Sequence, residues 1–163
     1  MAKVALLTMF EFVYYGQKKE RKAPIVPEAK LDDLLRRAAA THRLAVERAL
    51  ADLGVTLAQY AVLKTVFETP GISNADIARA ERLTPQTTSL VLANLERKRA
   101  VLRRAHERHG RIRRAEATEF GVRLLAACRD RLSGHHRRLA AALPTEGGGG
   151  VEAWLGRLAE MRV

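Results

Sequence analysis

The chain has 163 residues, 47% hydrophobic, 5% aromatic and 29% charged, with one cysteine and a formal net charge of +11 at pH 7. Its alanine, leucine and arginine content excludes a wholly disordered chain and favours one mostly helical domain, because these residues lose little side-chain freedom in a helix. The lone Cys128 excludes an intrachain disulfide and a multi-cysteine metal site and fits a reducing, cytoplasmic setting, while the basic excess calls for an anionic partner, nucleic acid ahead of an acidic protein or an anionic membrane surface.

Residues 1–27 read as an N-terminal arm. Met1 to Tyr15 (MAKVALLTMFEFVYY) is apolar but carries Glu11 and no small-residue cleavage pattern. It is therefore expected to be an extra strand or helical turn, or a disordered start, rather than an export signal. Residues 16–27 (GQKKERKAPIVP) are basic and hold two prolines, as a linker would. No stretch approaches the roughly 18 consecutive apolar residues of a membrane span.

From Glu28 to Leu53, Leu31, Leu34, Leu35, Ala38, His42, Ala45, Val46, Ala49 and Leu53 recur at helical spacing with charges between them, and Gly54 is the stop. Three short helices follow. Thr56 with Gln59 forms a capping box ahead of Leu57 to Phe67, and Pro70-Gly71 makes a turn. Ser73 with Asp76 opens a helix through about Glu81. Thr84 followed by Pro85 starts a third, running to about Lys98. Residues 100–104 and 112–118 predict a β-hairpin around His106 to Arg111. Glu119 to Leu143 reads as a long helix, Gly147 to Gly150 as a flexible connection, and Val151 to Met161 as a last short helix.

The segment Ile72 to Leu95 (ISNADIARAERLTPQTTSLVLANL) carries the functional signal. Ile72, Ile77 and Ala78 are spaced to pack on Leu83, Thr88, Val91, Leu92 and Leu95. The opposite face then presents Gln86, Thr87, Ser89, Leu90, Asn94 and Arg97, mostly short polar side chains suited to base edges and phosphates. Arg97, Lys98, Arg99, Arg103, Arg104, Arg108, Arg111, Arg113 and Arg114 cluster between this helix and the end of the hairpin. Guanidinium groups so placed suit phosphate.

This order of elements resembles the MarR family of winged-helix regulators. The residues that carry it are Leu57-x-x-Tyr60-x-Val62-Leu63, Asn74-x-x-Ile77-Ala78, Leu83-Thr84-x-Gln86-Thr87-Thr88-Ser89-x-Val91, Leu95-Glu96 and Thr118-x-x-Gly121. The fold the resemblance implies is mostly α with a small β-hairpin wing. Residues 28–54 and 119–163 would supply dimerisation helices around a DNA-binding lobe at 55–118. It further implies a ligand-responsive repressor that binds double-stranded DNA as a homodimer. In that frame Thr84, Gln86, Thr87, Ser89, Leu90, Asn94, Arg97, Lys98, Arg108, Arg111 and Arg113 are the expected DNA-binding residues, with Arg111 in the minor groove. His42, Arg43 and Tyr60 are guesses for the lining of a site for a small aromatic or phenolic effector; no other cofactor is expected. Leu31, Leu34, Leu35, Ala38, Trp154, Leu155 and Leu158 are expected at the dimer interface.

Three departures stand out. His109-Gly110-Arg111 replaces the family's Asp-x-Arg in the wing, so the arginine stays and the aspartate does not. Leu90 stands where an arginine is usual and is free to meet a thymine methyl. Arg99 stands where the recognition helix usually ends in glycine, which requires a left-handed cap or a longer helix.

Other readings are weaker. Cys128 lies in an apolar helical pattern and reads as core filler. Adjacent His135 and His136 point to different helix faces, so no metal site is expected. Ser73, Ser89 and Ser133 belong to no nucleophile elbow and Asp32-Asp33 lies on a charged face, so no enzyme is expected. Two alternatives remain open: a nucleic-acid binder without sequence preference, and a helical adaptor for an acidic protein.

Overall fold

The computed structural model describes residues 28–105, 113–145 and 148–161. The chain divides into two compact units, Met1–Ala39 and Ala40–Val163. The described part of the first unit is the opening half of helix α1 (Glu28–Leu50). There Asp33 pairs with Arg36 and Arg37 one turn on, Leu34 is exposed, and Leu31 and Leu35 are half-buried.

The second unit continues with a 3-10 turn at Ala51–Leu53, α2 (Leu57–Glu68), β1 (Ile72–Ser73), α3 (Asn74–Ala80) and α4 (Pro85–Arg97). After these come β2 (Val101–Ala105), β3 (Arg113–Ala117), α5 (Glu119–Ala141) and α6 (Gly148–Glu160). Among the described residues no single helix is long and apolar enough to cross a membrane.

Local chemistry sets the boundaries. At Thr56 the capping box is complete: its hydroxyl accepts from Gln59 N at 3.2 Å and its own N–H donates to Gln59 Oε1 at 3.3 Å. Ser73, Thr84 and Thr118 cap α3, α4 and α5 with the hydroxyl half of that arrangement alone, each satisfying an N–H that a helix start leaves free; Ser73 with Asp76 is thus a cap and not the full box. Gly54 adopts the left-handed conformation, φ 61°, after the 3-10 turn. The last turn of α1 has tightened there, so the helix ends at Leu50 rather than Leu53.

The sheet is antiparallel with order β1-β3-β2, pairing Ile72 with Ala115 and Val101 with Ala117. Strand β1 is absent from the sequence reading, since two residues show no alternation. The hairpin strands lie one residue from their expected positions. A second difference concerns the glycines: Gly148 to Gly150 form the first turn of α6 rather than a flexible connection. The apolar spacing of Val151, Trp154 and Leu158 continues the helix backward across them at a propensity cost of about 1 kcal/mol each.

Two apolar clusters hold the second unit. The larger joins Val62, Leu63 and Val66 of α2 to Ile77, Val91, Leu92 and Leu95 of α3 and α4, with Ala100, Val101, Ala115 and Leu125 beneath. The smaller joins Val46 and Leu50 of α1 to Val55, Cys128 and Leu132. Tyr60 and Leu124 pack against both. Burying each of the valine, isoleucine and leucine side chains among these stabilises the unit by about 1.5–3 kcal/mol, before the entropy of ordering them.

Candidate nucleic-acid interface

Helices α3 and α4 are joined by the short turn Glu81–Thr84, and both end in the same closing motif. At the end of α3, Leu83 N donates to Ala78 O at 3.0 Å and Arg82 is left-handed with φ 51°. At the end of α4, Ala100 N donates to Leu95 O at 2.9 Å, Arg99 N donates to Glu96 O at 2.7 Å, and Arg99 has φ 60°. These are Schellman closures, with buried Ala100 seated on buried Leu95 as the motif's apolar contact. Arg99 therefore caps the helix in a left-handed conformation and does not extend it.

Thr88, Val91, Leu92 and Leu95 are buried, as the spacing required, and Gln86, Thr87, Ser89, Leu90 and Arg97 are exposed. Asn94 is half-buried and accepts from the Arg97 guanidinium. Ser89 donates to Pro85 O at 2.9 Å and accepts from Asn74 Nδ2 at 3.2 Å, which ties α4 to α3. Thr84 accepts from Thr87 N at 3.1 Å, so it sets the start of α4. Thr88 is fully buried, and its hydroxyl donates to Thr84 O at 3.0 Å. The outward face is thus polar at its start, with Thr87, Ser89 and Asn94 held by hydrogen bonds to neighbouring groups of α4, its cap and α3.

Helix α4 passes straight into the hairpin. Thr118 Oγ1 donates to Arg99 O at 2.6 Å and Thr118 N donates to Ala100 O at 3.1 Å. Gly121 follows three residues later, and a Cβ there would lie 2.0 Å from Ala100 O. The Thr118-x-x-Gly121 pattern is therefore a backbone seat that fixes the hairpin against the end of α4.

The basic cluster is only partly available to an outside anion. Arg103 is paired with Glu96 in a half-buried contact. The Arg103 hydrogen bond holds the Glu96 carboxyl below its usual range, against the opposing effect of burial. Lys98 Nζ donates to Gly54 O at 2.7 Å, and Arg114 Nη1 donates to Gly71 O at 2.7 Å. Arg97, Arg99, Arg104 and Arg113 are exposed. The expected contacts Arg108 and Arg111 lie outside the described residues, as does the rest of the hairpin tip.

Of the three guessed effector residues, Arg43 lines a cavity of about 450 Å³ with Glu47 of α1, Thr56, Leu57, Ala58 and Ala61 around α2, and Glu81 and Leu83 of the helix-turn-helix. Tyr60 is half-buried and packs against both apolar clusters. His42 pairs with His135 of α5, Nδ1 to Nε2 at 2.9 Å. No short motif in the sequence announces this cavity, because three separate elements converge to make it. Trp154 and Leu158 are half-buried on α6 and Leu155 is exposed; on α1, Ala38 is exposed. Cys128 is buried, and burial pushes its thiol pKa up.

A helix pair that presents an outward polar face, followed by a basic antiparallel hairpin, defines a winged helix-turn-helix, the fold of a class of DNA-binding regulators. The model of the MarR family matches residues 55–112. The HTH-type transcriptional repressor Rv2887 of Mycobacterium tuberculosis is 38% identical over 97 residues, spanning 60% of this chain and 70% of that protein. The crystal structure of Rv2887 in complex with p-aminosalicylic acid superposes with a TM-score of 0.63 at 30% identity, covering 83% of this chain and 100% of the other. The S. aureus MepR–DNA complex superposes with a TM-score of 0.71 at 24% identity, covering 78% and 94%. The chain belongs to the MarR family. It is a DNA-binding transcriptional regulator and not an enzyme.

Proposed function

We propose that this regulator is a homodimeric repressor whose two α4 helices enter successive major grooves of a pseudo-palindromic site, about one helical turn apart. The observation that carries this reading is the outward face of α4, where exposed Gln86, Thr87 and Ser89 and half-buried Asn94 stand opposite a buried apolar face. Gln86, Thr87, Ser89 and Asn94 read or brace the bases, and Arg97 meets phosphate. Arg113, at the start of β3, lies against the flanking backbone. Lys98 acts indirectly, through the Gly54 carbonyl it holds. Arg111, between β2 and β3 in the sequence, is the minor-groove residue of this reading.

Dimerisation uses the apolar residues of α1 and α6, where Leu34 and Leu155 remain exposed. The protein works in the cytoplasm, where its DNA is.

The effector is a small aromatic acid. Its ring fits the apolar floor of Leu57, Ala58, Ala61 and Leu83, and its carboxylate meets Arg43. Rv2887 has been solved with such a molecule, p-aminosalicylic acid. Because the cavity is lined by α1 as well as by Glu81 and Leu83 beside α4, a ligand there has a route to shift the recognition helix.

A gel-shift with the DNA upstream of the protein's own gene tests the reading, with an unrelated duplex of equal length at matched near-physiological salt. Binding at least about a thousandfold tighter to its own DNA is expected of a specific regulator, as is release by an aromatic acid in the wild type but not in Arg43→Ala. Equal affinity for both duplexes, repeated with duplexes selected from a random pool, would instead establish a grip on nucleic acid without sequence preference.

A further inference from the structure

Leu90 is the most exposed of the large apolar side chains among the described residues, at 64%. It sits in the middle of the helix that otherwise shows its polar side to solvent. With 100° between successive residues, Gln86, Leu90, Ala93 and Arg97 fall within an arc of about 60°. That arc lies opposite the buried Thr88, Val91, Leu92 and Leu95. Thr87 and Asn94 flank it on one side and Ser89 on the other. Leu90 and Ala93, three residues apart and both exposed, make a small apolar island at the outward pole of α4. Ala93 adds no bulk, so the helix can approach a surface closely there.

An apolar island of this size has little to gain in water and would weaken phosphate contacts if it faced a backbone. In the major groove, however, one chemical feature suits it: the 5-methyl group of a pyrimidine. We propose that Leu90, supported by Ala93, reads a pyrimidine 5-methyl group and so determines specificity at one base pair of each half-site. This rests on the reading of α4 as the recognition helix. The methyl is carried by thymine and equally by 5-methylcytosine, so a site with cytosine at that position responds to cytosine methylation. The neighbouring Gln86 and Asn94 recognise hydrogen-bonding edges, whereas Leu90 gains only by covering a methyl. Its contribution is therefore modest in affinity but specific in chemistry.

The test starts from duplexes selected by the full-length protein out of a random pool, once with ordinary cytosine and once with CpG cytosines methylated. Each thymine of the preferred site is then replaced in turn by deoxyuridine, which removes the methyl and leaves the hydrogen-bonding pattern unchanged. One symmetry-related thymine position is expected to lose about fivefold in affinity, the scale of one buried methyl. Where the methylated pool alone yields the site, removing the cytosine methyl has the same effect, which identifies 5-methylcytosine as the source. In Leu90→Ala and Leu90→Gln, both folded as judged by thermal unfolding, methylated and unmethylated duplexes bind alike. A preferred site indifferent to every methyl, or a methyl effect that survives in both variants, overturns this inference alone. A pool with no preferred duplex overturns it together with the recognition reading beneath it.

Discussion

Gly121 and Arg99 sit on opposite sides of one backbone contact and make opposite demands. At Gly121 there is no room for a methyl group, with Ala100 O 2.0 Å from where a Cβ would stand. At Arg99 the backbone is left-handed, φ 60°, where any Cβ is strained and glycine is not. Gly121→Ala is expected to lose about 2–3 kcal/mol as the start of α5 is forced off Ala100, the range for overpacking a tight contact. Arg99→Gly is expected to gain about 1 kcal/mol by relieving the left-handed strain. Urea denaturation of both variants beside the wild type checks the pair. A neutral Gly121→Ala, or a destabilised Arg99→Gly, would show that the seat between α4 and the hairpin is not built as described. The family pattern made Gly121 visible in the sequence. Its reason was not, because a glycine inside a helical run gives no sign of the carbonyl it must clear.

Elements were legible where a local rule governs them. Thr56 with Gln59, Ser73 with Asp76 and Thr84-Pro85 each announced a helix start, because a cap is chemistry between residues three apart; the Thr118 cap of α5 became visible only in the structure. The buried face of α4 was legible from its 3.6-residue period. Strand β1 was not, since its two residues are strands only through their pairing with Ala115 and Arg114. The division of the basic cluster was hidden for the same reason. Lys98 reaches Gly54 and Arg114 reaches Gly71 across more than 40 positions of chain, and no spacing rule covers such contacts. The same holds for the cavity beside Arg43.

The contact between α1 and α5 adds a pH dependence of its own. His135 is buried and bonded to His42. Its pKa is held below the ordinary histidine value, first by burial and then by the charges of His42, Arg138 and His136. A histidine whose folded pKa is depressed takes up its proton more readily when unfolded. Its contribution to stability is therefore fully present above the ordinary value near 6.5. That contribution fades as pH falls through the lowered folded value. Thermal unfolding between pH 8 and 5 is expected to show a fall in Tm that is smaller in His135→Gln. An equal fall in the variant would place the acid sensitivity elsewhere.

At the scale of the whole molecule, a net charge of +11 ensures some affinity for any duplex, and that affinity falls steeply with salt. Charge alone cannot separate a regulator from an indifferent nucleic-acid grip; on the proposed reading the polar face of α4 makes that difference, because base-edge contacts carry sequence and phosphate contacts do not. The sequence showed the class because the order of caps, apolar periods and basic hairpin is read along the chain. The proposed effector cavity and dimer depend instead on surfaces made by residues far apart, and on the pairing of two chains.

The most direct measurement compares the wild type with the double variant Gln86→Ala/Asn94→Ala on a selected duplex and on an unrelated one, by fluorescence anisotropy at one fixed salt concentration. The variant is expected to lose about 10- to 100-fold or more on the selected duplex, the scale of one or two base contacts, and to bind the unrelated duplex as the wild type does. Equal losses on both duplexes, or no loss on either, would contradict the claim that this face of α4 reads DNA sequence.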